Sequence, residues 1–393
     1  MMSLNNKWVR GALPAIFIHI SIGSVYAWSL LVSHIAEHLS KPQSSVQFAF
    51  SLAIFFLGMS AAFGGKIVEK DIHKSSIISA FCFCSGLLIT SLAVHIKSLP
   101  LIYIGYGCVM GIGLGVGYIT PVKTLMLWFK DQKGLATGIA VCAFGFASSV
   151  ASPIMTFLLN KLPLHLVFCV LAGIYIIPML CASILIKKPS WWNEESVQND
   201  GFKLMSMWKD SKFRHIWLII FINISCGLAL ISTASPIMTE LKTNPKVIAL
   251  VVAIMGVFNG AGRLVFSAAS DKLRNRITIY HFILILSITT TLITFLTRNN
   301  INVYITLCLV SACYGAGFSC LPTLLSDIFG MDNISKIHGL SLTAWAIAGL
   351  VGNQISSITH SIFGNYTPVL LILTCIYSIA MIVSISLRKK NYL

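Results

Sequence analysis

Arg263 has more chemistry to offer than any other residue in this chain, because of where its neighbours place it. It lies in Met255–Arg276, MGVFNGAGRLVFSAASDKLRNR, eight residues before Asp271, which opens a charged cluster suited to water. At about 1.5 Å of helical rise per residue, it falls about 12 Å inside that boundary. A hydrocarbon layer about 30 Å thick has its midplane at about 15 Å. A cation there costs from about 3 to more than 10 kcal/mol and normally faces a cavity or a partner. The side chain reaches about 6–7 Å, too short to snorkel out over about 12 Å. Asn259, one turn earlier on the same face, is neutral, and no other predicted span interior holds Asp or Glu. An incoming carboxylate is the natural partner, since guanidinium grips carboxylate through two parallel hydrogen bonds.

Other side chains could join it. His19 offers a nitrogen for an anion or a proton relay, against the plainer reading of a ring fastened to a carbonyl on a neighbouring helix. Tyr26, Trp28, Tyr118, Tyr314, Phe318 and Trp345 could line a path or simply pack against lipid. The phenols of Tyr26 and Tyr118 can each donate to a carboxylate. Lys123, two residues after Pro121, either turns inward as a second cation or reaches the interface that Trp128 marks; the short distance to that interface favours snorkelling. The row Gly111-x-Gly113-x-Gly115-x-Gly117 superficially resembles a dinucleotide loop. It follows no strand and sits in an apolar run, so it reads as close helix packing. All eleven cysteines fall in apolar runs and none forms a Cys-x-x-Cys pair, so neither disulfides nor a metal site is expected. With no serine–histidine–acid set, neither catalysis nor a cofactor is expected.

What positions these residues is a membrane. The chain is 56% hydrophobic and 10% charged, against roughly 25% charged in soluble domains. Its apolar runs are continuous, which selects helices over a barrel. We read an all-α membrane protein with twelve spans, near 11–33, 44–66, 75–95, 99–127, 134–159, 164–186, 213–236, 246–269, 277–297, 301–325, 337–361 and 366–387. With the N-terminus in the cytoplasm, the inner segments hold twenty Lys and Arg and the outer ones six. That is a positive-inside bias, so the net charge of +16 is a topology signal rather than a nucleic-acid footprint. The first run lacks a small-residue cleavage pattern and is expected to be retained.

The polar segment Lys187 to Arg214 reads as a tether, with Trp191, Trp192 and Trp208 at headgroup level. It gives two six-helix halves, 1–186 and 213–393, joined by a linker at 187–212. Four pairs of short motifs recur in order at offsets of 201 to 205: Gly65–Lys70 with Ser267–Lys272, Ile20–Gly23 with Ile224–Gly227, Pro121 with Pro322, and Gly134-Leu135 with Gly339-Leu340. Together they argue for a duplicated six-span unit.

Two parallel six-span repeats, with Gly65-x-x-x-Glu69-Lys70 and Asp271-Lys272 in the loops after spans two and eight, resemble the major facilitator superfamily. Glu69 stands where that signature has Asp, and Ile72 and Arg274 where it has Gly; these loop residues bear on how the halves lock. A closer resemblance rests on Gly23-Ser-Val-Tyr26-Ala-Trp28, on the stretch from Gly117-Tyr118-Ile-Thr120-Pro121 through Trp128 to Gly138, and on Asn259-Gly-Ala-Gly-Arg263-Leu. Together these resemble the oxalate/formate antiporter family, over the whole chain.

The resemblance implies a small carboxylate moved by alternating access about a midplane site. It also implies a lysine in span eleven for oxalate-type members, and here Trp345 stands in that place. One arginine suits one carboxylate, so a monocarboxylate such as lactate, pyruvate or formate is expected, the alternatives being oxalate-type exchange using Arg263 with Lys123, or a sensor that binds without transport. Expected partners are the organic anion, a proton or counter-anion, and lipid, but no nucleic acid. The protein is expected to work as a monomer in the inner or plasma membrane with both termini cytoplasmic.

Overall fold

The computed structural model describes residues 6–64, 67–68, 71–129, 133–190, 204–273, 275–330 and 334–389. They form twelve helices and no strand. α1 is a run of four pieces, Trp8–Ala12, Leu13–Ile22, Gly23–Ala27 and Ser29–Leu39; α2 is Gln43–Phe63 and α3 is Ile72–His95. α4 runs through Leu99–Ile102, Tyr103–Met110 and Gly111–Trp128, followed by α5 (Lys133–Leu159) and α6 (Leu164–Leu185). After the short turn Leu204–Lys209 come α7 (Ser211–Glu240), α8 (Pro245–Ser270), α9 (Ile277–Thr297) and α10 (Asn300–Phe329). α11 is broken into Ile334–Ser341 and Thr343–Phe363, and α12 is Thr367–Lys389.

Among the described residues, eleven helices are long and apolar enough to cross a membrane. The remaining one, α11, carries Asn353, Gln354, Ser356, Ser357, Thr359 and His360, and it turns Asn353, Ser356, Ser357 and Thr359 into the protein. α1 continues six residues past the expected end at 33, to Leu39, because its last turns bear His34, Glu37 and His38, which an apolar window discards.

Helix starts follow capping chemistry. Asp71, Asp210, Asn244 and Asn299 each accept a backbone N–H from the first turn of α3, α7, α8 and α10. The Lys74 amide that Asp71 accepts holds its carboxyl below the usual carboxylate value. Among the described residues, four that are not glycine take left-handed backbone, Ser40, Lys97, Lys242 and Arg298, closing α1, α3, α7 and α9. They form two pairs 202 and 201 residues apart, the same spacing as the repeated motifs.

The glycine row in α4 works as a packing face. Gly111 and Gly115 back onto α2 at Ala53 and Leu57, while Gly113 and Gly117 back onto α3 at Phe83 and Ser79. Helices from the two sets of six meet mainly as α5 against α8 and α2 against α11. Gly145 and Gly260 bring the α5 and α8 backbones together so closely that a Cβ on Gly145 would lie 2.6 Å from the Gly260 nitrogen. α8 also packs along α10, so Arg263 sits between α5 and α10 at the centre of the molecule.

Candidate functional site

Arg263 is fully buried seven residues from the end of α8. Its Nε donates to Asn259 Oδ1 at 3.0 Å, one helical turn away. Gly315 of α10 makes room for this pair, since a Cβ there would meet Asn259 Oδ1 at 2.7 Å and Arg263 Cγ at 3.0 Å. The guanidinium carbon lies 5.5 Å from the ring centre of Phe144 and 5.3 Å from that of Phe318. Nη1 and Nη2 have no hydrogen-bond partner. Two ring faces contribute about 1–2 kcal/mol each, and a neutral amide adds little more. Burying an ion costs several kcal/mol, so this cation remains under-compensated.

Aromatic side chains from five helices close around it. Tyr26 is held by the tight Gly23–Ala27 turn of α1 and hydrogen-bonds Tyr314 of α10 through the two hydroxyls at 2.7 Å. Phe144 touches Tyr26, Tyr118 and His19 edge-on, with ring centres 5.2, 5.7 and 6.0 Å away. Trp345 of α11 stands 4.4 Å from Phe318 and 5.1 Å from Tyr118. The Tyr26 and Tyr118 phenols lie beside the guanidinium, yet neither makes a hydrogen bond to Nη1 or Nη2 in bonding geometry. The cluster joins α1, α4 and α5 to α8, α10 and α11.

At the end of the bundle remote from the termini, polar pairs stitch the two sets of helices. Asn353 donates to Ser51 at 3.0 Å and accepts from Ser232 at 2.9 Å; Ser357 donates to Gln47 at 2.9 Å and Ser235 to Ser29 at 3.1 Å. Beyond them opens a cavity of about 380 Å³ edged by Gln47, Glu240, His360 and Tyr366. At the end that carries the termini, Arg276 donates to Asp271 at 2.8 Å and to Asp327 at 2.7 Å.

This twelve-helix frame around a central site matches a known family, whose model, Major Facilitator Superfamily, covers residues 13–353 and, in a second match, 216–390. The chain belongs to the Major Facilitator Superfamily. It is thus an integral membrane transporter rather than an enzyme. The oxalate:formate antiporter of Oxalobacter formigenes is 23% identical over 374 residues, covering 94% of this chain and 88% of that protein. Apicoplast pyruvate carrier 1 of Toxoplasma gondii is 21% identical over 465 aligned positions, covering 89% and 82%. Among solved structures, a D-xylose-proton symporter superposes with a TM-score of 0.71 at 16% identity, covering 96% of each chain.

Of the residues singled out from the sequence of this superfamily transporter, Arg263, Asn259, Tyr26, Tyr118 and Trp345 come together in one cluster, with Tyr314 and Phe318. His19 lies at its edge, with Nδ1 against the Ala140 carbonyl and Nε2 3.2 Å from that of Tyr118. Both nitrogens face backbone, which leaves neither for an anion and makes the ring a fastener between α1, α4 and α5. Trp28 stands apart from the cluster, because its ring packs 4.0 Å from Tyr106. The side chain of Lys123 lies outside the described residues, as do Trp191, Trp192, Gly65, Glu69 and Lys70. In the matching second loop, Lys272 is exposed and Asp271 holds Arg276. Sequence reasoning missed Phe144, which touches most of the cluster, because one phenylalanine in an apolar run carries no distinguishing signal. It also counted Arg276 only as a topology charge.

Proposed function

We propose that this transporter carries a small monocarboxylate, of the lactate, pyruvate or formate kind, and that Arg263 is its anion anchor. The observation that carries the reading is a fully buried guanidinium whose Nη1 and Nη2 make no hydrogen bond in bonding geometry and whose neighbours are all neutral: the Asn259 amide, two phenylalanine rings and the Tyr26 and Tyr118 phenols. A carboxylate about 4 Å away adds about 4 kcal/mol at an effective dielectric constant near 20, the scale of the missing compensation. The two free donors match the two oxygens of one carboxylate. The names of the two relatives, an oxalate:formate antiporter and a pyruvate carrier, support a carboxylate cargo.

Alternating access follows from the two helix sets, 1–186 and 213–393, rocking about the Arg263 cluster. The polar pairs of Asn353, Ser357 and Ser235 close one end, and the loop bearing Asp271 and Arg276 lies at the other. The positive-inside bias puts that second end, with both termini, in the cytoplasm of a cell membrane. The test is counterflow in proteoliposomes, with labelled formate, lactate, pyruvate and oxalate, with and without a pH gradient. Exchange of monocarboxylates with little oxalate supports the reading. Binding without exchange would make the protein a sensor, and indifference to all four would end the proposal.

A further inference from the structure

The Arg263 cluster contains a second buried donor without a partner. Trp345 is fully buried and its indole Nε1 makes no hydrogen bond. The Tyr314 phenol, bonded to Tyr26 at 2.7 Å, is a close neighbour of the indole, but no hydrogen bond in bonding geometry joins the two. Trp345 and Arg263 share both aromatic walls: Phe318 lies 4.4 Å from the indole and 5.3 Å from the guanidinium carbon, and Phe144 lies 6.1 and 5.5 Å from them. Trp28 is a second buried indole without a partner, and its ring lies on Tyr106. What sets Trp345 apart is the free cation that shares its walls.

An indole N–H can only donate, and it carries no charge. It suits a neutral oxygen a short distance from the carboxylate that Arg263 holds. It does nothing to offset a second carboxylate, which would stay unpaired in a dry site. Resting on the carboxylate reading above, we propose that Trp345 is a specificity-determining residue: its Nε1–H receives the oxygen on C2 of a 2-oxo or 2-hydroxy monocarboxylate. A site built to donate to such an oxygen discriminates against the analogue that lacks it, because the donor is then left buried and bare.

The experiment compares equilibrium binding of pyruvate, lactate and propionate to the purified full-length protein and to its Trp345→Phe variant. Propionate keeps the carboxylate and the three-carbon chain and drops the C2 oxygen. Wild-type protein is expected to bind pyruvate and lactate about tenfold more tightly than propionate, the scale of one hydrogen bond. Trp345→Phe keeps an aromatic ring and removes the donor, so the ratio of pyruvate and lactate affinity to propionate affinity should shrink to about one. An equal loss for all three acids, or an unchanged preference, would overturn the proposal. Wild-type protein alone can also overturn it, by binding pyruvate and propionate equally, whatever the variant's stability. Failure of wild-type protein to bind any of the three would instead defeat the carboxylate reading itself.

Discussion

Two arginines flank the end of α8, thirteen residues apart, and they live in opposite circumstances. Arg276 lies at the loop, partly exposed, and holds two half-exposed carboxylates, Asp271 and Asp327, as well as the Ser270 hydroxyl at 2.8 Å. Arg263 lies fully buried with one neutral amide and two ring faces. Folding chemistry would assign the acids the other way round, since water already satisfies the outer cation and the inner one is costly. The contrast teaches that the inner charge is kept free. Arg276 is a clamp that joins α8, the following loop and α10, and Arg263 holds its charge for a passenger.

The contrast can be broken at either end. Arg263→Gln should weaken carboxylate binding most, by more than about a hundredfold, since removing one member of a buried charge pair costs about 3 kcal/mol or more. Titration calorimetry would measure this, and a size-exclusion profile like that of wild type would show that the variant still folds. Asn259→Asp supplies the acid that the site lacks, so binding should fall about tenfold or more at neutral pH. It should recover on acidification as the new carboxyl protonates, and a pH series of dissociation constants reads this directly. Gly315→Ala pushes a methyl group against Asn259 and Arg263 and should cost a few kcal/mol of stability or about tenfold in affinity. Arg276→Gln should change least. Partly exposed pairs are worth about 1 kcal/mol or less each, so a thermal melt should drop by a few degrees with the carboxylate Kd unchanged. A large loss of affinity there would erase the distinction between the two arginines.

Much of this was legible in the chain because membrane physics is severe. Continuous apolar runs and the distance from Arg263 to Asp271 set its depth, and helical periodicity put Asn259 beside it. The glycine row in α4 announced close packing and delivers it against α2 and α3. Contacts made across the bundle were not legible. Tyr26 meets Tyr314 over a separation of 288 residues, and nothing in either local sequence signals it. Trp28 and Trp345 look alike as tryptophans in apolar runs, yet one stacks on Tyr106 and the other beside the guanidinium. α11 was legible as a span but not as a latch, because its polar residues acquire meaning only when Ser51, Gln47 and Ser232 face them.

The most direct test of the central claim is an experimental structure of the protein with a bound monocarboxylate such as pyruvate or formate. The account predicts both carboxylate oxygens about 2.8 Å from Nη1 and Nη2 of Arg263, with Nε still on Asn259. A guanidinium joined to an acidic side chain of the protein, or an anion bound away from Arg263, would contradict it.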